Sequence, residues 1–249
     1  MDDNLAPDGG VGSVLESFFD AVYIINLPSR ADRRAEIAEQ LARIGSKIDQ
    51  GKVHLHSASR PETAGGFPTV GAHGCFLSHL SVLKRAVAEG RERILILEDD
   101  VDFAPDFIPA ARRLLGDSKV ADGSVLYLGF LQARPPIPSH EAGWSLLDKG
   151  TAIVGAHMVS FDRRSLELAI PYLEAMLERS PGDQLGGPMH VDGAYNWFRR
   201  NHEGVRTMLC IPPLGLQRAS RTDIHPLRWF DRSPLTRSLV TALRKARYR

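Results

Sequence analysis

Four acids in five positions, Glu98, Asp99, Asp100 and Asp102, follow directly on the aliphatic run Ile94-Leu95-Ile96-Leu97. The run reads as a strand buried on both faces. The acids then stand at its C-terminal end, where open α/β sheets bind ligands. Alternation along a strand points Glu98, Asp100 and Asp102 to one side and Asp99 to the other. Three converging carboxylates repel one another unless a cation or protons neutralise them. Hard oxygen ligands of this kind suit Mg²⁺ or Mn²⁺, ions that also take substrate phosphate oxygens. The plainer reading is an acidic turn that opens the next helix, with Asp102 or Asp106 as its cap.

Three further clusters carry chemistry. Asn26 closes the first apolar run and is followed by Ser29, Arg30, Arg33 and Arg34. Polar and cationic groups at a strand mouth, beside a helix N-terminus, suit an anion. Taken singly, each arginine reads as a surface residue. In Gly74-Cys75-Phe76-Leu77-Ser78-His79, Gly74 permits close backbone approach, and Ser78 and His79 lie one turn into a helix, within reach of a ligand. As a catalytic dyad they are poor, because adjacent helical residues diverge by about 100°. Cys75 reads as a small packed residue rather than a nucleophile. Asp192 is either a helix cap or a general base. Gln217, Ser220 and His225 sit on a loop after the last strand, a usual place for ligand contacts.

Hydrophobic periodicity supplies the elements that must position these groups. Strands are expected over 21–27, 53–58, the aliphatic run before the acids, 124–129 and 207–211, with 151–161 extended. Helices are expected over 29–44 (capped by Ser29), 71–89, 106–115, 163–178 and 191–200. Residues 59–71, 132–143 and 180–188 read as Gly/Pro loops. Strand and helix alternate through the first half, which points to an α/β chain with a mostly parallel, doubly wound sheet.

The bulk numbers permit this. Of 249 residues, 43% are apolar and 24% charged, ordinary for a globular chain with a sizeable core. A net charge of +1 argues against general nucleic-acid binding. The charge is uneven: residues 228–249 hold seven Arg/Lys against one Asp, a net of +6 that leaves the rest at −5. With Leu235, Leu239 and Leu243 at fourfold spacing, this end reads as a basic amphipathic helix. Docking on the domain and contact with anionic lipid both fit it. Residues 1–17 read as a flexible tail without the features of a signal peptide, and 18–227 as the domain. Two cysteines make no disulfide framework, so a cytoplasmic setting is expected, with peripheral contact at the inner membrane face through the basic tail. No apolar run reaches the roughly 18 residues of a membrane span.

Taken together the clusters resemble glycosyltransferase family 25, the family of lipopolysaccharide, lipooligosaccharide and collagen galactosyltransferases. The likeness runs from Ile25-Asn26-Leu27 with Arg30 and Arg33, through Gly74 to His79 and Leu97-Glu98-Asp99-Asp100-Val101, to Gly150-Thr151, Asp192 and a late Pro213, Gln217, Ser220 and Ile224. It implies a GT-A-like, Rossmann-type nucleotide-sugar fold and an inverting, metal-dependent transfer from a UDP-sugar, most simply UDP-galactose, to a glycan or lipid-linked glycan such as the lipopolysaccharide core. By that likeness Glu98-Asp99-Asp100 stands for an Asp-x-Asp motif, with Asp100, Glu98 and His225 toward Mn²⁺ or Mg²⁺. Asn26, Arg30, Arg33, Ser78, His79, Glu98, Asp99, Gln217 and Ser220 then face the donor. Asp192 is the first candidate for the base on the acceptor hydroxyl and Asp102 the second. The sequence departs from the family in two places. Ala72 and His73 stand where an acid often precedes the Gly-Cys pair, and Ala152 to His157 replace an aromatic-rich stretch. Two rival readings are a non-catalytic binding or adhesion module on the same fold and a metal-dependent nucleotide-sugar hydrolase.

Overall fold

A computed structural model describes residues 13–117, 120, 124–137 and 142–218. Its centre is a nine-stranded sheet. The main path runs β2 (Val53–Ser57), β1 (Ala21–Asn26), β3 (Arg93–Glu98), β9 (Met158–Asp162), β5 (Val125–Gly129), β10 (Thr207–Ile211), β7 (Gly143–Leu146). β1 pairs parallel with β2 and β3, and β5 with β10, while β9 runs antiparallel to both β3 and β5, so five strands of this path share one direction. β4 (Val101–Phe103) and β11 (Gly215–Gln217) pair off this path, and β6 (Gln132–Arg134) with β8 (Ala152–Val154) forms a separate ribbon. The α/β class with a mostly parallel central sheet, expected of a GT-A-like fold, is what the chain adopts.

The aliphatic strands are covered on both faces, as their unbroken apolar runs require. On one face Tyr23, Ile25, Ile94 and Ile96 pack with Phe76, Leu80 and Leu83 of α3 (Val70–Ala88), with Leu166 and Leu173 of α5 (Arg163–Glu178), and with Tyr195 and Phe198 of α6 (Val191–Asn201). On the other, Val22, Ile24, Leu95 and Leu97 pack with α1 (Ser13–Phe18), α2 (Ala31–Arg43) and α4 (Phe107–Leu115).

Three local expectations change. Part of the stretch read as an N-terminal tail is α1, because Val14, Leu15 and Phe19 are buried against the second face. Arg30, not Ser29, stands at the N-cap of α2. Of the stretch 132–143, read as a loop, the first three residues form β6 and Gly143 opens β7. The basic segment 228–249, with Ser220 and His225, lies outside the described residues. No helix among the described residues is long and apolar enough to cross a membrane.

Candidate active site

Strand alternation decides which acid meets which helix. Ile94 and Ile96 face α3, so Glu98, two residues on, does too. There it meets His79, whose Nε2 lies 3.3 Å from Glu98 Oε1, and the Cys75 thiol at 3.9 Å. Asp99 follows the opposite parity toward α2, where Arg33 Nη1 donates to Oδ1 at 2.8 Å and Asn26 Nδ2 to Oδ2 at 2.8 Å. Asn26 ends β1, whose Ile25 is in register with Glu98, and this brings Asn26 beside Asp99.

After Glu98 the alternation breaks. Asp99 and Asp100 form a turn, and the chain re-enters the sheet as β4. Asp100 stays at the strand end, where Gln217 Nε2 donates to its Oδ2 at 3.2 Å and Arg33 Nη1 stands 3.7 Å away. Its other oxygen, Oδ1, is buried and has no hydrogen-bond partner among the described residues. Burial, with the charges of Glu98 and Asp99, drives the Asp100 carboxyl up to about 7 against the pull of Arg33 and Gln217. Burial acts upward on Glu98 as well, but the hydrogen bond and charge of His79, with His157 and Arg33, carry it below the ordinary carboxylate range.

Asp102 does not converge with them, contrary to the strand-parity expectation. The intervening turn sends it to Arg218, whose Nε and Nη2 both donate to Oδ1, at 2.9 and 2.5 Å; Arg218 also pairs with Glu36. Asp106 occupies the N-cap position of α4, as the plainer reading expected, but makes no side-chain cap bond.

Asp192 lies in the first turn of α6, where His190 rather than Asp192 occupies the cap. Its Oδ2 accepts from the Gly155 N–H at 2.9 Å, and Gly155 holds φ at 88°, a conformation that favours glycine. The charge of Asp192 reaches the cluster nonetheless. Burial pushes the Cys75 thiol well above its ordinary range, and the charges of Glu98, Asp192 and Asp100 add to the effect.

The wall opposite the acids comes from α3 and the loop after β2. A Cβ on Gly74 would stand 2.5 Å from the Ser59 carbonyl oxygen, so only glycine lets helix and loop meet here. Ser78 fastens the same joint: its hydroxyl accepts from the Ser59 N–H at 2.8 Å and donates to the Gly74 carbonyl at 2.6 Å. Ser78 is buried yet stands among the residues that line the cavity, and these bonds make it part of the wall. Between these walls opens a cavity of about 330 Å³. Glu98, Asp99, Cys75, Arg30, Arg33 and Arg60 are among its lining residues.

The fold thus gathers Asn26, Arg30, Arg33, Ser78, His79, Glu98, Asp99, Asp100, Asp192 and Gln217 around one region. Sequence reasoning missed Arg60 and gave Cys75 no role beyond packing. Arg60 lies in a Gly/Pro loop with no periodic signal. Cys75 has one, since it stands four residues before His79 and therefore shares its helix face.

Residues 19–133 match the model of glycosyltransferase family 25, described as an LPS biosynthesis protein family. A rat protein named "Probable inactive glycosyltransferase 25 family member 3" is 29% identical over 229 residues, covering 72% of this chain and 40% of its own length. Mouse procollagen galactosyltransferase 2 is 30% identical over 129 residues, covering 45% of this chain and 21% of its own. The chain therefore spans well under half the length of these relatives. Among solved structures, a glycosyltransferase involved in glycosylating the major capsid of PBCV-1 is 13% identical with a TM-score of 0.47, covering 81% of this chain and 96% of that one.

Proposed function

Since this chain belongs to glycosyltransferase family 25 through residues 19–133, we propose that it transfers a sugar, galactose in the first instance, from a UDP-sugar to a glycan acceptor, with inversion and with Mn²⁺ or Mg²⁺ as cofactor. The observation that carries this reading is Asp100 Oδ1, buried beside Glu98 without a hydrogen-bond partner among the described residues. A buried carboxylate oxygen left bare is costly unless a cation completes it. The donors around it are oxygens, which suit Mg²⁺ or Mn²⁺. Asp100 and Glu98 would hold the ion; His225, the third ligand expected from the sequence, lies outside the described residues. When bound, the ion neutralises charge developing on the leaving diphosphate.

The chain's own residues account for the other requirements. Arg30, Arg33 and Arg60 line the cavity and supply positive charge for phosphate oxygens. Asn26 and Arg33 fix Asp99, so the turn that presents Asp100 is held from two elements. Inversion needs a base opposite the leaving group. Asp192 is the first candidate for that part, since its charge reaches Cys75 in the cluster, whereas the turn after Asp100 carries Asp102 away to Arg218. The galactosyl choice leans on the mouse relative's name. Cytoplasmic placement and contact of 228–249 with an anionic membrane, near a lipid-linked acceptor, belong to the same proposal. Deleting 228–249 should reduce binding to anionic vesicles, and unchanged binding would remove that part.

The test is UDP release from UDP-galactose with and without Mn²⁺, in wild type and Asp100→Ala. Metal-dependent release that the substitution abolishes supports the proposal. A nucleoside monophosphate product would instead indicate a hydrolase. A second reading, a donor-binding module without turnover, is favoured by the word "inactive" in the name of the rat relative. Binding of UDP without release from any sugar nucleotide would select it.

A further inference from the structure

We propose that Cys75, His79 and Glu98 form a binding site for a thiophilic divalent cation of the zinc class, sharing Glu98 with the oxygen site at Asp100. Cys75 and His79 are four residues apart on α3 and project from one helix face. Glu98 meets them from the end of β3, on the side set by Ile94 and Ile96. One sulfur, one imidazole nitrogen and one carboxylate oxygen are a donor set that zinc accepts and magnesium does not.

The spacing suits a tetrahedral ion. With metal–ligand lengths of about 2.0–2.3 Å, the edges of a zinc tetrahedron measure roughly 3.3–3.7 Å. His79 Nε2 and Glu98 Oε1 are 3.3 Å apart, Cys75 Sγ and Glu98 Oε1 3.9 Å, and all three ligand atoms lie within 4.8 Å of one another. Closing the remaining gap takes about 1 Å or less of side-chain movement. Cys75 and Glu98 also line the cavity, so the ion has a path of entry and a position for a fourth, solvent ligand.

Tyr195 completes the arrangement. Its hydroxyl lies 3.0 Å from His79 Nδ1. A hydroxyl can donate or accept. Without metal, Tyr195 donates to Nδ1 while Nε2–H donates to Glu98. With metal, Nδ1–H donates to Tyr195 and the Nε2 lone pair turns to the ion. Ligating histidines are commonly oriented through their second nitrogen in this way. On binding, the Cys75 thiol gives its proton to solvent and ligates as thiolate.

Cobalt(II) is the probe, added to the purified full-length chain. Wild type is expected to show a near-ultraviolet thiolate-to-cobalt charge-transfer band and intense tetrahedral visible bands, both bleached by Zn²⁺. Cys75→Ser should abolish the charge-transfer band and Cys210→Ser should leave it, since the Cys210 thiol is occupied with the Pro212 carbonyl in another part of the fold. Tyr195→Phe, which keeps the ring, should weaken Co²⁺ binding about tenfold or more. Absence of a charge-transfer band in wild type, or its survival in Cys75→Ser, would overturn the proposal. No turnover is measured, so this result and the fate of the transferase reading are independent.

Discussion

Gln217 Nε2 donates to Asp100 Oδ2 at 3.2 Å although 117 positions separate the two residues. The bond forms because β11 pairs antiparallel with β4, bringing Gln217 into register with Val101, next to Asp100. The backbone reinforces it: the Arg218 N–H donates to the Asp100 carbonyl at 2.7 Å. Gln217→Leu should therefore leave Asp100 with one bond fewer, weaken Mn²⁺ binding and raise the KM for donor more than it lowers kcat. Isothermal titration with Mn²⁺ and steady-state kinetics would check this; unchanged Mn²⁺ affinity would count against it.

Asp100 should impose a specific pH dependence on stability. Burial, with the charges of Glu98 and Asp99, holds its carboxyl at about 7 in the folded state, above the ordinary 3.8. Between those values the folded state binds more protons than the unfolded state, so the carboxyl's contribution falls as pH rises and is fully unfavourable above about 7. Metal-free wild type should lose stability from pH 5 to pH 8 relative to Asp100→Asn. The comparison with the variant matters, because burial lowers the pKa values of His56 and His157, and those groups act in the opposite sense. At pH 8, Mn²⁺ at a hundredfold its Kd should restore about 2.7 kcal/mol to wild type and little to Asp100→Asn. Thermal melts across pH would show both effects.

Arg33 joins α2 to the acid turn through Asp99. Arg33→Met should cost about 1–3 kcal/mol, since the buried Asp99 keeps only Asn26 of its two side-chain donors. UDP affinity should fall by about tenfold or more, the loss of one charge-assisted contact. Arg33→Lys should recover part of each, as it restores charge but not the planar fork. Urea unfolding and UDP titration separate the two effects.

Asp192 and Asp102 make opposite predictions. Asp192→Asn should lower kcat about 10²–10⁴-fold, the usual worth of a general base, with UDP affinity nearly unchanged. Asp102→Asn should change kcat by only a few fold, because its carboxylate serves the Arg218 ion pair. If Asp102→Asn abolished turnover and Asp192→Asn did not, the assignment of the base would be reversed.

The joint at Gly74 and Ser78 should behave as structure. Ser78→Ala leaves the Ser59 N–H without its acceptor and should cost about 1–3 kcal/mol. Gly74→Ala drives a methyl toward the Ser59 carbonyl and should cost a similar amount. Both should raise the donor KM through the displaced wall. A Ser78→Ala protein of unchanged stability would contradict this account.

Local chemistry was enough to read most elements. The run Ile94 to Leu97 could only be a strand with two covered faces, and α5 and β10 have the bounds their apolar periodicity implies. The cluster Glu98-Asp99-Asp100, with Asn26 and Arg33 at a neighbouring strand mouth, was legible as a site because parallel sheets collect such groups at one edge. Alternation along the run also set Glu98 and Asp99 on opposite sides, as the contacts with His79 and Arg33 have it. What sequence alone left open were relationships made by pairings distant in the chain. The turn at Asp99-Asp100 breaks the parity and separates Asp102 from Asp100. The short β11 has three residues, too few to carry a periodic signal, yet its pairing with β4 brings in Gln217 and Arg218. Cys75 acquired chemical meaning only when α3 packed on β3 and set its sulfur beside Glu98. Residue type and periodicity are local properties of a chain, whereas a carboxylate's partners, burial and charge depend on which distant segment the sheet brings alongside it.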